Sequence, residues 1–427
     1  MSVISSARTK LEDGYLSKFR RFSRNAWLYL LFVFCYSSSF AVFLVVLGLY
    51  LLSMGYDESL VGSIELTAMI LGAAICLPGG LLTDRVGGKY TLLGAAGLVA
   101  LGRIGLVLTA DSRVMILAAI PLGAGIAINW IGGDVLLAGA STEKDRPLLF
   151  SIRFATFSIA LVLGSIFGGI LPGMFGALMQ VEGTSPQAYH LTLVIAAGIS
   201  ILGIVPLLFA SDVRYATSRR KSAGLLGYRM KQPTLIAKLL LPQAFNSMSV
   251  AAIFPFLSIF FRYRLSATVA QAGVIIAMAS IVATIAALVA PTLADKVGKV
   301  RATAYLQLAG LPFLLIAGYT SSLEAASVAF WLYRGLVASS FPIMVTFVMQ
   351  IVDAEERGRA SAVANLFWNG GWAISAWGAG SIMAAGHYSA AYLFSALCLV
   401  VGAVSWYSLF RKDEIAPSVI KEEEQLR

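Results

Sequence analysis

Long apolar stretches separated by short polar ones recur along the whole chain. Spanning a bilayer as a helix takes about 20 mainly apolar residues. Twelve runs meet that length, at approximately 26–54, 59–82, 91–110, 114–139, 150–172, 191–210, 236–261, 269–292, 302–320, 325–350, 361–385 and 390–410. The longer ones exceed the hydrocarbon thickness and are expected to tilt or to extend beyond it. The pattern predicts an all-α membrane protein with 12 transmembrane helices.

Composition agrees. Of 427 residues, 58% are hydrophobic and 13% charged, with mean hydropathy +0.82. A soluble domain carries roughly 25% charged residues, so lipid is the expected solvent. The formal charge of +10 points to nucleic acid only until its placement is considered. If the chain starts inside, one set of connections holds 27 of the 32 Lys and Arg residues, whereas the other holds only Arg113, Arg262 and Arg264. Arg103 and Arg334 lie within helices. This asymmetry puts both termini in the cytoplasm and argues against a nucleic-acid partner. Residues 1–25 combine Arg8, Lys10, Lys18, Arg20, Arg21 and Arg24 with Leu11, Tyr15, Phe19 and Phe22 at helical spacing. They read as a basic amphipathic segment on the cytoplasmic leaflet rather than a cleaved signal.

The chain repeats itself. Gly80-Leu-Leu-Thr-Asp84-Arg85-Val-Gly87-Gly88-Lys89 follows the second run, and Leu293-Ala-Asp295-Lys296-Val-Gly298-Lys299-Val-Arg301 follows the eighth. Glu143-Lys-Asp145-Arg146 is echoed by Glu355-Glu356-Arg357. Asp84 and Asp295 are 211 positions apart, as are Arg146 and Arg357. Two motifs at one offset indicate a duplicated six-helix unit. The expected organisation is a bundle over 26–210, a cytoplasmic linker over 211–235, a second pseudo-symmetric bundle over 236–410, and a tail over 411–427.

The Gly-x-x-x-Asp-Arg-x-Gly-x-Lys loop, its weaker echo and the two six-helix halves resemble the major facilitator superfamily over nearly the whole chain. The resemblance implies alternating access around a central cavity. It also implies that the loop latches the halves together on the cytoplasmic side, which would make Gly80, Asp84, Arg85, Gly87 and Lys89 gate residues, with Asp295 and Lys296 as their counterparts. Gly80 is expected to allow close helix approach, and Gly87 and Gly88 a tight turn. Two features depart from the family's drug antiporters. Leu117 stands where helix four often has an Arg, and Gly164, Gly168 and Gly169 lack a preceding Gly-Pro pair, so these glycines are read as helix-packing positions.

Charges within hydrocarbon cost roughly 2.5–3.5 kcal/mol each on insertion scales. Glu65 and Arg103 each lie about 10 Å below the outer helix ends at the α-helical rise. As consecutive helices are expected to be neighbours, these two side chains could pair. Otherwise Glu65 is a candidate for proton coupling. Asp134, near the inner end of helix four, is read first as a partner of the signature loop and second as a proton site. Arg334 lies closest to the midplane and has no acidic neighbour on its helix, which suits a carboxylate-bearing substrate. Tyr36, Asn129, Gln243, Asn246, Asn365, Trp368 and Trp372 complete the candidate cavity, where an amide and indoles share one face and suit an amphipathic ligand.

Other chemistries find no support. There is no Gly-x-x-x-x-Gly-Lys for a nucleotide. Cys35, Cys76 and Cys398 sit apart in apolar runs, and His190 and His387 are placed in external loops. No metal cluster, cofactor site or nucleophile–histidine pair emerges, so an enzyme is not expected. The expected function is ion-gradient-driven transport of a small molecule by a plasma-membrane monomer, with proton-coupled export of amphipathic organic compounds first. Organic-anion uptake or exchange held by Arg334 is the alternative. A transporter-like receptor or an uncoupled lipid flippase represents another class.

Overall fold

The computed structural model describes residues 22–141, 145–211, 231–353 and 356–414. Most of the basic N-terminal segment, the linker and the tail lie outside the described residues, as do Glu143 and Glu355. Twelve helical segments follow one another: α1 (Arg24–Ser53), α2 (Glu58–Val86), α3 (Gly88–Leu108), α4 (Ser112–Gly139), α5 (Arg146–Met179) and α6 (Pro186–Leu202). A break at Gly203 precedes a further turn, Ile204–Leu208. Then come α7 (Pro233–Ala251), α8 (Val269–Val297), α9 (Lys299–Tyr319), α10 (Leu323–Ile351), α11 (Arg357–Ala384) and α12 (Tyr388–Phe410). Beyond Ala251 the seventh span continues through short turns that end in the π-helical Phe260–Arg264.

The duplication is written into the helix bounds. α2 and α8 are both 29 residues long and begin at 58 and 269, and α3 and α9 are both 21 residues long and begin at 88 and 299. Each pair is 211 positions apart, the offset of the sequence motifs. The caps repeat as well. Asp57 and Thr268 accept backbone N–H bonds at the starts of α2 and α8, and Asp111 and Ser322 do so for α4 and α10. Each such cap is worth about 1 kcal/mol. Arg146 and Arg357, the second motif pair, are the first residues of α5 and α11.

Eleven of the spans are long and apolar enough to cross a membrane. The exception is α11, whose indoles, amides and glycines lower its hydropathy. It packs against α2 and α7, so protein covers much of its polar surface.

Helix neighbours do not follow chain order. In the first half α1 packs on α5 and α6, α3 on α4 and α6, and α2 on α4, while α2 and α3 scarcely touch. The second half repeats the scheme, with α9 on α10 and α12 and α8 on α10. The halves meet chiefly through α2 with α11 and α5 with α8. These two contacts are themselves related by the 211-residue offset. A Cβ on Gly62 would lie 2.6 Å from the Ala376 carbonyl oxygen, and one on Gly273 would lie 2.5 Å from that of Ser165. Likewise a Cβ on Gly380 would meet the Glu58 carbonyl at 2.6 Å, and one on Gly169 that of Val269 at 2.9 Å. Four glycines therefore let backbone pack on backbone at two equivalent seams.

Both seams lie towards the face away from the chain termini. On the terminal face the signature loops stand open: Arg85, Asp295 and Lys296 are exposed, and Leu288 and Val289 on α8 are 74% and 60% exposed. The halves are thus closed on one side and parted on the other. Gly87 and Gly298 make the turns of the two loops with φ of +92° and +93°, a region that favours glycine. Gly88, rather than Gly80, provides the close approach, its Cβ position lying 3.1 Å from the Leu136 amide nitrogen of α4. Gly80 has nothing within 4 Å, since no second half faces it here.

Candidate functional site

Glu65 is half-buried on α2 and accepts a 2.9 Å hydrogen bond from Nε1 of Trp372 on α11. The pair bridges the two halves. The expected alternative, an ion pair with Arg103, does not form, because α2 and α3 diverge and α3 turns its side chain the other way. Arg103 is 2% exposed and donates to Ser39 Oγ (2.8 Å) and Ser200 Oγ (2.9 Å), and its guanidinium stacks over Tyr36 and Phe43 at 5.2 and 5.3 Å. It ties α1, α3 and α6 together within the first half.

From Trp372 an aromatic wall extends both ways. The edge of one ring meets the face of the other where Phe254 contacts Trp372, centroids 6.1 Å apart, and Arg334 on α10 lies 5.3 Å from the Phe254 ring. In the other direction Trp372 contacts Trp368 at 6.5 Å, and Trp368 contacts Phe341 of α10 at 5.8 Å. Phe341 is 48% exposed, Trp368 and Trp372 are half-buried, and Asn365 is exposed one turn nearer the terminal face. Among the described residues Arg334 forms no ion pair, and neither does Glu65. The arrangement offers an apolar, stacking surface with a carboxyl at its middle, on Trp372, and a guanidinium at one end, beside Phe254. Such a surface can hold an amphipathic ring compound and sense its charge.

The other candidates are distributed differently. Asn365 and Asn369 donate to carbonyls of their own helix, Ser361 and Asn365 respectively. Gln243 and Asn246, 8% and 7% exposed, lie inside the second half instead of on the wall. Asn246 donates to Met344 Sδ at 3.8 Å, as does Gln307 at 3.6 Å. Their face of α7 meets helices of its own half, whereas Trp372 of α11 reaches α2. Tyr36 and Asn129 are buried at 7% exposure in the first half. Asp134 pairs with Arg153 of α5, whose guanidinium lies 5.3 Å from the Trp130 ring and 5.7 Å from that of Tyr29. It therefore does not engage Arg85, which is exposed, or Lys89, which donates to the Leu208 carbonyl at 3.0 Å. Gly164, Gly168 and Gly169 serve packing as expected, the first two against α1 and the third against α8.

Three features escaped the sequence reading. Phe254 links Arg334 to Trp372. Tyr388 donates to Glu58, a further polar contact between the halves, near the closed face. Arg153, counted as a loop charge, belongs to α5. His190 lies within α6, with Nε2 3.1 Å from the Val107 carbonyl, and not in a loop. No metal cluster occurs among the described residues.

Comparison with known proteins agrees with this architecture. The family model described as Major Facilitator Superfamily matches residues 28–242 and again 239–427. The putative metabolite transport protein YwtG of Bacillus subtilis (strain 168) is 27% identical over 157 residues, 37% of this chain and 31% of that protein. The arabinose-proton symporter of Escherichia coli (strain K12) is 32% identical over 98 residues, 23% of this chain and 21% of that one. The matched part thus spans less than a third of either relative. The crystal structure of nucleoside transporter NupG superposes with TM-score 0.73 at 15% identity, covering 91% of this chain and 99% of that one; at this identity it speaks to fold alone. With two halves repeated at a fixed offset, seams between α2 and α11 and between α5 and α8, and a family model matched across both halves, the chain belongs to the major facilitator superfamily.

Proposed function

We propose that this protein is a secondary active transporter that exports amphipathic organic compounds across the plasma membrane in exchange for protons, with Glu65 as the proton carrier. The observation that carries the reading is the Glu65–Trp372 hydrogen bond. It puts a carboxyl with no cationic partner among the described residues at the contact between two halves that move relative to each other. A carboxylate so placed within the membrane is costly, and rocking of the halves exposes it to one aqueous face and then to the other. Proton uptake and release at this point would thereby follow the conformational cycle. The aromatic wall beside it supplies the substrate surface. Relatives named as a proton symporter and as an Na(+), Li(+), K(+)/H(+) antiporter support a proton as the coupling ion.

The excess of basic residues on the terminal face assigns that face to the cytoplasm, so the structure is read as open to the inside. On the return stroke the signature loop (Asp84, Arg85, Gly87 and Lys89), together with Asp134, Asp295 and Lys296, would close the cytoplasmic side. The protein is taken to act as a monomer without a cofactor.

A second reading rests on Arg334, half-buried against Phe254 and without an ion pair among the described residues. It would make the substrate an organic anion. Everted vesicles holding a respiration-driven pH gradient separate the two. Collapse of the gradient by a lipophilic cation or neutral compound, lost in Glu65→Gln, supports export. If no compound disturbs the gradient and whole-cell uptake of an aromatic acid depends on Arg334, the export reading is wrong and the anion reading replaces it.

A further inference from the structure

Trp372 belongs to both parts of the candidate site. Its N–H holds the Glu65 carboxyl, while its ring packs between Phe254 and Trp368 on the aromatic wall. Among the described residues no other side chain both hydrogen-bonds Glu65 and stacks on the wall. We propose that Trp372 is the positioning residue that couples substrate occupancy to the proton on Glu65: a ring compound settling on the wall presses the indole N–H onto the Glu65 carboxyl, and a donor so fixed favours the carboxylate and releases the proton. The inference rests on the proton-exchange reading above.

The duplicated architecture provides an internal control. Because the two seams are related by 211 positions, the counterpart of Glu65 is Ile276 on α8, and that of Trp372 is Leu161 on α5. Gly62, Gly380, Gly169 and Gly273 bring the backbones equally close at both seams. Close packing of the halves therefore does not require a carboxyl–indole pair, since its equivalent is served by two aliphatic side chains. The carboxyl–indole pair is confined to the seam that borders the aromatic wall, whereas the other seam has a hydroxyl contact, Thr284 donating to Ser158 Oγ at 3.3 Å.

Other charges near Glu65 are otherwise engaged or distant. Glu58, two turns away on α2, is held by Tyr388. On α4, Asp134 pairs with Arg153 near the terminal face, and Arg113 sits at the opposite end of the helix. Arg103 of α3 is bound to Ser39 and Ser200, and Arg262, beyond α7, donates to the Ala267 carbonyl. Arg357 lies at the far end of α11. Trp372 is the one polar partner of Glu65 among the described residues.

The test uses purified full-length protein in proteoliposomes, with tetraphenylphosphonium and 1-naphthylamine as probes and a pH-sensitive dye inside. Trp372→Phe keeps a ring on the wall but removes the donor. It is expected to split the two fluxes, with protons moved per probe transported falling at least tenfold whatever the change in KM. Glu65→Asp retracts the carboxyl by one methylene and breaks the same bond from the other side; it should show the same split, which covers the case in which Trp372→Phe folds poorly. Trp368→Phe should raise KM and leave the ratio of protons to probe unchanged. Should Trp372→Phe and Glu65→Asp keep the wild-type ratio while Glu65→Gln abolishes proton flux, the coupling role of Trp372 is wrong and Glu65 remains the proton carrier. If Glu65→Gln itself keeps the wild-type flux, the underlying function falls, and this inference with it.

Discussion

Substituting Gly62 by Ala should push the protein out of the conformation seen here. The added Cβ would lie 2.6 Å from the Ala376 carbonyl oxygen and 3.0 Å from the Trp377 Cα. Optimal non-bonded separation is about 3.5 Å, so α2 and α11 must part by roughly 0.9 Å or hold the strain. Backbone lines the other side of the contact and has no rotamer with which to yield. Overpacking of this kind costs about 1–3 kcal/mol. When the halves separate at this face the clash disappears, so the whole cost becomes a difference between conformations. It should move the equilibrium roughly 5- to 150-fold towards opening at the face away from the termini. Spin labels at Asp111→Cys and Ser321→Cys, both exposed at that face, in a background lacking Cys35, Cys76 and Cys398, would read the change as a longer distance population by electron–electron double resonance. Gly273→Ala, at the equivalent position of the other seam, should act in the same direction. Gly378→Ala is the control, because nothing lies within 4 Å of its Cβ position. Identical distance distributions in Gly62→Ala, Gly378→Ala and the parent would refute the argument that backbone contact at these glycines closes the face.

Further expectations follow from the same geometry. Tyr388→Phe removes the hydroxyl that Glu58 accepts from. As a hydrogen bond to a charged group is worth about 1.5–3 kcal/mol, the same label pair should show a shift of tenfold or more towards opening. Gly87→Ala and Gly298→Ala put a side chain at φ of +92° and +93°. Each should cost about 1–3 kcal/mol, seen as a lower midpoint of thermal aggregation in detergent. Arg103→Ala removes a fully buried side chain and its bonds to Ser39 and Ser200 and should destabilise the first half by about 2–5 kcal/mol. Arg103→Met, which fills the space without a charge, should recover most of that loss in the same melt. No recovery with Met relative to Ala would show that the charge itself is required.

Much of this architecture is legible in the chain, because lipid imposes a simple rule: each crossing must be long and apolar. The motif offset of 211 likewise carries straight into the bounds of α2 and α8 and of α3 and α9. Adjacency is less accessible. Expecting consecutive helices to be neighbours suggested Glu65 with Arg103, yet a six-helix half interleaves its members, and α2 finds α4 and α11 instead. Hydropathy carries no information on which faces meet, so Gln243 and Asn246 were expected on the cavity although their face of α7 packs within its own half. The seam glycines were within reach. Gly62 recurs at Gly273 and Gly169 at Gly380, and extending the motif offset to small residues would have marked both seams. The link from Arg334 through Phe254 to Trp372 was not, for it spans three helices with no spacing in common.

The central claim is that Glu65 carries the transported proton. The most direct measurement is proton release by purified protein in weakly buffered detergent solution when tetraphenylphosphonium, 1-naphthylamine or 1-naphthoate is added. The account predicts that one of the first two releases about one proton per protein from wild type and none from Glu65→Gln. Equal release by Glu65→Gln, or release driven only by 1-naphthoate and lost in Arg334→Gln, would contradict it.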